Sequence, residues 1–230
     1  LDKLNLDGKV AVVTGAGRGI GRAIALALAE AGCDIVAAAR TRPQIEETAE
    51  AVRATGRRCL VVPTDITNPA SVQAMASAAV AEFGRIDILL NNAGAMIRRA
   101  PFLELDTELY DAAMNLNVKS VIEASQAAVP HMEKQGGGAI INVGSIAGAD
   151  GGGPGSGHYA CAKAYVHNLT RHMARDLASR KIRVNAISPG VIETAFHAAT
   201  PPERMEAMKK SVPLGRAGTP EDCVGPILLL

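Results

Sequence analysis

The sequence predicts an α/β fold built on a parallel sheet, from three observations. Short runs of β-branched and apolar residues alternate with longer Ala-rich segments of helical period. Glycine and proline fall where helices end and begin, as at Gly32 and Pro69. The chain has 230 residues, 48% of them hydrophobic, which is enough for one large domain with a substantial core. We therefore expect a single domain over residues 1–230.

The predicted elements alternate between strand and helix, as in repeated βαβ units. The predicted strands are Val10–Thr14, Asp34–Ala39, Cys59–Val62, Ile86–Leu90, Ala139–Val143 and Arg183–Ile187. The predicted helices are Ile20–Ala31, Pro43–Thr55, Pro69–Phe83, Thr107–Lys134 and Tyr159–Ser179, with shorter ones near Glu203–Ser211 and after Pro220. The glycine-rich segment 151–157 is either a connector or a flexible rim of the site.

Composition and charge exclude several classes of function. The net charge of +1 attracts neither nucleic acid nor an anionic membrane, and three Tyr, three Phe and no Trp give no stacking platform. No signal peptide or membrane-spanning apolar run is present in the sequence. The four cysteines form no CxxC pair, which predicts reduced thiols in a cytoplasmic protein. The five histidines lack metal-ligand spacing, so we predict no metal site.

Tyr159 and Lys163 are the most informative pair of residues in the chain. They lie four residues apart on one predicted helix and therefore on one face. An ammonium group favours the ionised phenol, so we expect Lys163 to lower the pKa of Tyr159 below its ordinary value of about 10. Such a phenol exchanges protons with a carbonyl or an alcohol near neutral pH, in chemistry that needs a redox partner.

A glycine-rich turn near the N-terminus predicts that partner. The run Thr14-Gly15-Ala16-Gly17-Arg18-Gly19-Ile20-Gly21 closes the first predicted strand and opens the first helix. Glycines let the backbone approach a pyrophosphate, whose charge is stabilised by the helix N-terminus. The spacing is GxxxGxG rather than GxGxxG, and three glycines alone are a weak signal. Their position between a buried strand and an amphipathic helix predicts a dinucleotide site.

These motifs resemble the short-chain dehydrogenases/reductases in kind and order. Beyond the glycine turn they are Asn91-Asn92-Ala93-Gly94, Asn117, Ser145, the Tyr159/Lys163 pair and Ser188-Pro189-Gly190. The resemblance is to the compact type that includes 3-oxoacyl-[acyl-carrier-protein] reductases and many sugar, polyol and steroid dehydrogenases. It implies a single-domain Rossmann-like, doubly wound parallel sheet of strand order 3-2-1-4-5-6. Relatives continue into one further strand, so we expect a last C-terminal strand to be missing here.

The same resemblance implies the catalytic roles. Tyr159 would be the general acid and base, Lys163 would hold the nicotinamide ribose, and Ser145 would polarise the carbonyl. Ser156 is a weaker rival for the serine role. The predicted catalytic residues are Asn117, Ser145, Tyr159 and Lys163.

The resemblance also assigns residues around the cofactor. Asn117 is similar to the asparagine that supports a water-linked proton relay, and Asn115 is a competitor for this role. Asp65 resembles the residue that contacts adenine, and Thr194 the threonine that bonds the nicotinamide carboxamide. Asn92 is either a turn residue or a ligand contact. The predicted cofactor-binding residues are Gly15, Arg18, Gly19, Ile20, Gly21, Arg40, Asp65, Ile66, Asn91, Ala93, Gly94, Tyr159, Lys163, Pro189, Gly190, Ile192 and Thr194.

The end of the second strand bears on the choice of cofactor. A carboxylate there would bind the ribose 2′-OH of NAD and repel the 2′-phosphate of NADP. The strand ends instead at Ala39, followed by Arg40, and Arg18 adds a cation in the glycine turn. A guanidinium suits a phosphate dianion, so we predict NADP(H). If these arginines are only solvated, the alternative is an NAD(H)-linked sugar or polyol dehydrogenase.

The substrate is predicted only as a small carbonyl or alcohol compound. Arg98 and Arg99 follow the fourth predicted strand. We expect them either to contact an acidic substrate or an acyl-carrier surface, or to remain solvated surface charges. Residues 196–202 should flank the same mouth. An alternative of another class is a non-catalytic dinucleotide-binding regulator, which the retained serine, tyrosine and lysine disfavour. Relatives are commonly tetramers that pair two long helices, so we expect a homotetramer.

Overall fold

Six parallel strands form one sheet in the computed structural model, which describes residues 5–198 and 200–230. The strands pair in the order β3-β2-β1-β4-β5-β6, which confirms the predicted Rossmann-like order. Their bounds are β1 (Val10–Thr14), β2 (Asp34–Ala39), β3 (Cys59–Pro63), β4 (Ile88–Asn91), β5 (Gly138–Val143) and β6 (Ile182–Ile187).

Helices cover both faces of this sheet. They are α1 (Gly19–Glu30), α2 (Arg42–Ala54), α3 (Pro69–Phe83), α4 (Thr107–Met114), α5 (Ser120–Lys134), α6 (Ala147–Asp150), α7 (Gly157–Leu177), α8 (Pro202–Ser211) and α9 (Val224–Leu229). Short 3₁₀ turns occupy Phe102–Glu104, Ala178–Arg180, Ala195–His197 and Pro220–Cys223, and a π-helical turn occupies Asn115–Lys119. Among the described residues, no helix is long and apolar enough to cross a membrane.

The core consists of two layers, one on each face of the sheet. In β1, Ala11 and Val13 pack with α1, α2 and α9, whereas Val10 and Val12 pack with α3, α5 and α7. Because both faces are covered, every residue of β1 is buried. This burial explains the continuous apolar runs that predicted parallel strands.

The fourth strand begins two residues later than predicted. The side chain of Gln135 holds both backbone groups of Ile86: its Oε1 accepts from the N–H at 3.2 Å, and its Nε2 donates to the carbonyl at 2.7 Å. Ile86 is therefore bonded to a side chain instead of a strand neighbour. At the other end the strand extends to Asn91, which pairs with Asn142 of β5.

The long helix predicted over Thr107–Lys134 is divided into α4 and α5 by the π-helical turn. Within this turn, Asn117 Nδ2 donates to the carbonyl oxygen of Ala113, four residues earlier, at 3.0 Å. That carbonyl is the normal α-helical partner of the Asn117 N–H, so the side chain competes with the backbone. A π turn inserts one extra residue into a helix and is frequent at functional sites.

Candidate active site

The carboxyl ends of the strands place the predicted motifs at one edge of the sheet. The chain order reverses between β1 and β4, and ligands of open α/β sheets bind at such a switch point. The glycine turn leaves β1 at this point, the Asn-Asn-Ala-Gly motif follows β4, and Ser145 follows β5.

The glycine turn has the shape that a pyrophosphate requires. Gly15 and Gly19 have φ angles of 68° and 54°, in the left-handed region that favours glycine. A Cβ atom on Gly21 would lie 2.3 Å from the Gly15 carbonyl oxygen. In the described part of the chain no side chain caps the first turn of α1, so its N–H groups can bind an anion. These residues fit the diphosphate of a dinucleotide.

Asn92 braces this turn. Its Nδ2 atom donates to the carbonyl oxygens of Thr14 at 2.9 Å and Gly15 at 3.3 Å. Its N–H donates to the Thr14 hydroxyl at 3.0 Å, as does that of Ala93 at 3.1 Å. The structure therefore favours the turn role for Asn92 over a ligand contact.

The end of β2 carries no carboxylate. Ala39 is its last residue, and Arg40 follows it with an exposed side chain, as Arg18 is exposed in the glycine turn. Hydrogen bonds from Thr67 and then the charge of Arg40 lower the pKa of Asp65. Arg40 and Asp65 therefore lie at the same end of the sheet, where the adenosine half of a dinucleotide would bind.

The side chains of two predicted cofactor residues pack into the core. Ile20 packs with the layer of α1 and α2, and Ile66 is buried in the opposite layer. Ile66 therefore offers its backbone to a cofactor, whereas the partly buried side chain of Ile20 stays a candidate contact. Sequence spacing could not show this, because it does not tell which way a loop residue points.

The side chain of Asn91 also lies inside the protein, so its predicted cofactor contact would have to come from the main chain. Its Nδ2 donates to Ser125 Oγ at 3.1 Å and to Asn142 Oδ1 at 2.9 Å. Asn142 Nδ2 in turn donates to Thr170 Oγ1 at 2.9 Å, and Thr170 donates to the Val166 carbonyl. This buried polar chain joins β4, β5 and α7. Only the main chain of Asn91 could contact a cofactor.

Gly94 brings the loop after β4 close to two predicted catalytic residues. A Cβ atom there would lie 2.7 Å from Asn117 Oδ1 and 3.3 Å from Lys163 Nζ. Asn117 is fully buried, and its Nδ2 donates to the carbonyls of Ala95 and Ala113, both at 3.0 Å. Both amide hydrogens are used, so this amide cannot donate to a relay water. The side chain of Asn117 therefore positions the loop after β4, and the relay role of this residue stays a prediction.

Tyr159, Lys163 and Ser145 are brought together as predicted, by α7 and the end of β5. Tyr159 and Lys163 are 9% and 4% exposed, and Lys163 Nζ lies 5.7 Å from the centre of the Tyr159 ring. The ammonium donates to the Val143 carbonyl oxygen at 2.7 Å. Ser145 Oγ accepts from the Ala147 N–H at 3.2 Å, which leaves the hydroxyl proton for another acceptor.

The pKa values correct one expectation about this pair. Burial raises the pKa of Tyr159, and a hydrogen bond with Ser145 opposes the rise only in part. Burial lowers the pKa of Lys163 to about 8. The expectation that Lys163 lowers the pKa of Tyr159 is therefore wrong for the protein alone. Its ammonium lies over the ring, and the loss of water around both groups dominates.

Ser156, the rival serine, is used in the glycine-rich segment. Its hydroxyl donates to the Gly153 carbonyl oxygen at 2.5 Å, and its side chain is buried. It therefore stabilises the bend before α7, and Ser145 is the serine that lies beside the phenol.

The loop after β6 closes the other side of the site. The Pro189 carbonyl accepts from the Ile146 N–H at 3.0 Å, so this loop is joined to the segment after Ser145. Gly190 is exposed, and no atom lies within 4 Å of a Cβ placed on it. This part of the loop is open to a ligand.

Thr194 and Ile192 belong to the same loop. A Cβ placed on Gly19 would lie 3.2 Å from Thr194 Cγ2, so Thr194 lies against the glycine turn. Ile192 forms an isolated parallel bridge with Gly218, which fixes the loop against the C-terminal segment. Ala199, within the predicted 196–202 segment, lies outside the described residues.

Sequence reasoning missed His167, which lies behind Ser145. Its Nε2 atom is 2.9 Å from Ser188 Oγ and accepts weakly from the Ser145 N–H at 3.5 Å. A Cβ on Gly144 would lie 2.4 Å from this nitrogen, so glycine is required there. Burial, followed by two neighbouring positive charges, lowers the pKa of His167. Its position four residues after Lys163, on the same helical face, was the available signal.

The sheet order and the glycine turn at its switch point define a dinucleotide-binding α/β protein. Within the described residues, no group of three or more His, Cys, Asp or Glu side chains could hold a metal ion. The sequence profile of the family described as short chain dehydrogenase matches residues 9–204. The chain belongs to this family, and it is an oxidoreductase that acts on CH–OH groups.

Three known proteins illustrate the similarity. The 2-dehydro-3-deoxy-D-gluconate 5-dehydrogenase of Escherichia coli K12 is 44% identical over an alignment of 233 positions. This alignment covers 100% of this chain and 90% of that enzyme. A 7 alpha-hydroxysteroid dehydrogenase complexed with NADH and 7-oxo glycochenodeoxycholic acid has a TM-score of 0.94 and 37% identity, covering 100% of this chain and 89% of that one. A putative NAD(P)-dependent gluconate 5-dehydrogenase of Beutenbergia cavernae with bound NADP has a TM-score of 0.91 and 36% identity. The match covers 99% of this chain and 90% of that one.

Proposed function

We propose that the protein is an NADP(H)-dependent oxidoreductase that interconverts a ketone and a secondary alcohol, with Tyr159 as the general acid and base. The observation that carries this proposal is the convergence of Tyr159, Lys163 and Ser145 beside the glycine turn. A buried lysine that neighbours a buried tyrosine, with no described carboxylate paired to it, is an arrangement expected at an active site.

Residues along the carboxyl edge of the sheet would hold the cofactor. The glycine turn would bind its diphosphate, Thr194 its carboxamide and Lys163 its nicotinamide ribose. When bound, the nicotinamide would supply or accept the hydride. Gly94 leaves space for close approach, since any side chain there would meet Lys163 and Asn117.

The protein's own groups perform the proton transfer. In reduction, Tyr159 donates its proton to the substrate oxygen while the Ser145 hydroxyl donates a hydrogen bond to it. The raised pKa keeps the phenol protonated at neutral pH, as reduction requires. In oxidation the phenol acts as an anion, and the Lys163 ammonium is the nearby charge that stabilises it.

Replacement of the phenol tests this mechanism. We expect Tyr159→Phe to lower kcat by roughly a hundred- to ten-thousand-fold, because general acid–base catalysis contributes about that much. The cofactor Kd, measured by NADPH fluorescence, should change little. Tyr165→Phe, six residues further along α7 and half-exposed, is the matched control. Unchanged turnover in Tyr159→Phe would reject the mechanism.

The cofactor preference rests on Arg40 and Arg18. Both are exposed at the adenosine end, and no ion pair among the described residues involves either of them. Arg42 differs, since its Nη1 lies 2.8 Å from Glu46 Oε1. Arg40→Asp should lower kcat/KM with NADPH by about tenfold or more and spare NADH, because an acid repels the 2′-phosphate. Arg42→Ala is the control, and an unchanged NADPH/NADH ratio in Arg40→Asp would reject the argument.

A second candidate is an NAD(H)-linked sugar or polyol dehydrogenase with the same catalytic residues. It is favoured by the name of the sugar-acid dehydrogenase relative and by the NADH found with the steroid dehydrogenase. The ratio of initial rates with NADPH and NADH distinguishes the two. A protein that binds the cofactor but is inert across a panel of ketones and secondary alcohols would instead be a non-catalytic regulator.

We also propose that the enzyme is a cytoplasmic homotetramer. The half-exposed side chains of Met114, Ile122 and Tyr165 line a groove between the π turn, α5 and α7, on the helices predicted to pair. The four cysteines are free thiols, as in a reducing compartment. Light scattering coupled to size exclusion tests the assembly, and Tyr165→Lys should dissociate it. A monomer for the unaltered protein would reject the tetramer.

A further inference from the structure

Two arginines from distant parts of the chain meet at the glycine-rich rim. Arg99, in the loop after β4, donates from Nη1 to the Pro154 carbonyl oxygen at 2.8 Å. Arg204, in α8, donates from Nη2 to the same oxygen at 3.2 Å. Both side chains are half-buried. The rim between β5 and α7 therefore holds two guanidinium groups side by side.

Neither of these guanidinium groups is neutralised by a described residue. No Asp or Glu oxygen within residues 5–198 and 200–230 lies within 4.0 Å of Arg99 or Arg204. The neighbouring Arg98 instead forms an ion pair with Asp106. The predicted Arg98/Arg99 pair is therefore divided, and only Arg99 faces the rim.

Burial, and then the charge of Arg204, lowers the pKa of Arg99. Like charges that share one neutral acceptor repel each other, and partial burial reduces the screening by water. A guanidinium has five N–H donors, and one carbonyl oxygen uses few of them. The remaining donors and the uncompensated charge are suited to an anion with two acceptor oxygens.

The arginine pair lies at the mouth of the catalytic site. Burial and then the charge of Arg99 lower the pKa of His197, so these two side chains are close. The His197 ring packs edge-on against Phe196 with centres 5.1 Å apart, and Phe196 packs against the Tyr159 ring at 5.7 Å. Two aromatic contacts thus separate the phenol from the cations. An anion bound there would lie several bonds away from the reacting carbon.

We propose that Arg99 and Arg204 form a subsite for the carboxylate of the substrate, so that the enzyme acts on hydroxy and oxo acids. This inference rests on the proposed function, because it names the substrate class of that site. A small carboxylate is favoured over a carrier protein, since the pair is half-buried against the rim and linked to the Tyr159 ring through Phe196. Two oxygens on one carbon match the paired guanidinium groups.

Matched substrates test the subsite. Five- and six-carbon aldonic acids and the alditols of the same configuration differ in the carboxylate but share the secondary alcohols. We expect Arg99→Gln and Arg204→Gln each to raise KM for the acids by roughly ten- to hundred-fold, as expected for one lost charge-assisted bond, with little change for the alditols. Arg98→Gln, which removes an arginine already paired with Asp106, should leave both unchanged.

Binding measured without turnover separates the two proposals. In a calorimetric titration of the NADPH-loaded enzyme with D-gluconate, we expect a binding signal that Arg99→Gln and Arg204→Gln each weaken and that the control Arg98→Gln retains. Equal KM values for acids and alditols, unaffected by the variants, would overturn the subsite but leave the oxidoreductase proposal intact. Arginine effects confined to an acyl-carrier thioester would also overturn it. Gluconate binding without turnover of any substrate would support the subsite and reject the proposed function.

Discussion

Replacement of Lys163 by methionine should stabilise the protein while it abolishes activity. Burial lowers the pKa of Lys163 from 10.5 to about 8. Below pH 8 the folded state holds a buried charge, at a cost of about 3 kcal/mol from about 1.4 kcal/mol per pKa unit. Methionine removes this cost but leaves the Val143 carbonyl without its donor, a loss of about 1 kcal/mol. The expected net gain at neutral pH is about 2 kcal/mol.

The gain should depend on pH in a defined direction. Between about pH 8 and 10.5 the unfolded state binds more protons at Lys163 than the folded state, so this lysine makes unfolding harder as pH rises. The advantage of Lys163→Met should therefore shrink over this range. Burial raises the pKa of Cys33 to about 12 and of Cys59 to about 11, which lowers stability at alkaline pH in both proteins. Only the difference in unfolding free energy between Lys163→Met and the unaltered protein isolates the contribution of Lys163.

Urea unfolding of the cofactor-free proteins, followed by circular dichroism at neutral pH and about pH 9.5, measures this difference. Lys163→Gln serves as a second variant, because its amide can still donate to Val143. A methionine variant less stable than the unaltered protein at neutral pH would refute the reasoning. So would a difference that stays constant with pH, since the lysine would then not be a buried, destabilised charge.

Two further predictions concern the turn and the residue behind Ser145. Gly21→Ala places a Cβ 2.3 Å from the Gly15 carbonyl oxygen and should weaken NADPH binding by about tenfold or more. Gly225→Ala in α9, where the space is open, is the control and should leave the affinity unchanged. Equal NADPH affinities for the two variants would reject the close-packed turn. His167→Ala should lower kcat by about tenfold without changing cofactor Kd, with partial recovery in His167→Gln, because an acceptor behind Ser145 is lost. Burial lowers the pKa of His167, so activity of the unaltered protein should fall only at a pH below the ordinary histidine range, where this ring becomes protonated. A kcat that is unchanged in both His167 variants would oppose this role.

The fold could be predicted because its signals are local. Buried parallel strands leave short apolar runs, and helix ends leave glycine and proline, so five of the six strands begin within one residue of prediction. The late start of β4 was not predictable in this way. It depends on Gln135, which comes from α5 and satisfies the backbone of Ile86. Contacts of this kind become visible only after the helices are packed.

The sequence predicted which residues meet at the site, but not where each of their side chains points. Tyr159, Lys163 and Ser145 meet because helix spacing and strand ends define their positions. Asn91 points into the core because strand residues alternate between faces, and sequence alone did not tell which face the last residue would take. The pairing of Arg99 with Arg204 joins the loop after β4 to α8. No periodic pattern connects such separate segments.

The polar chain from Asn91 through Asn142 to Thr170 has a consequence for assembly of the sheet. Parallel strands made of similar apolar residues could shift their register at little cost in free energy. A shift of β4 by one residue would leave two amides without partners in a dry interior, at a penalty of several kcal/mol. Mispaired forms are thereby disfavoured during folding. Because Thr170 belongs to the helix that carries the phenol, the correct alignment also determines how deeply that helix is seated.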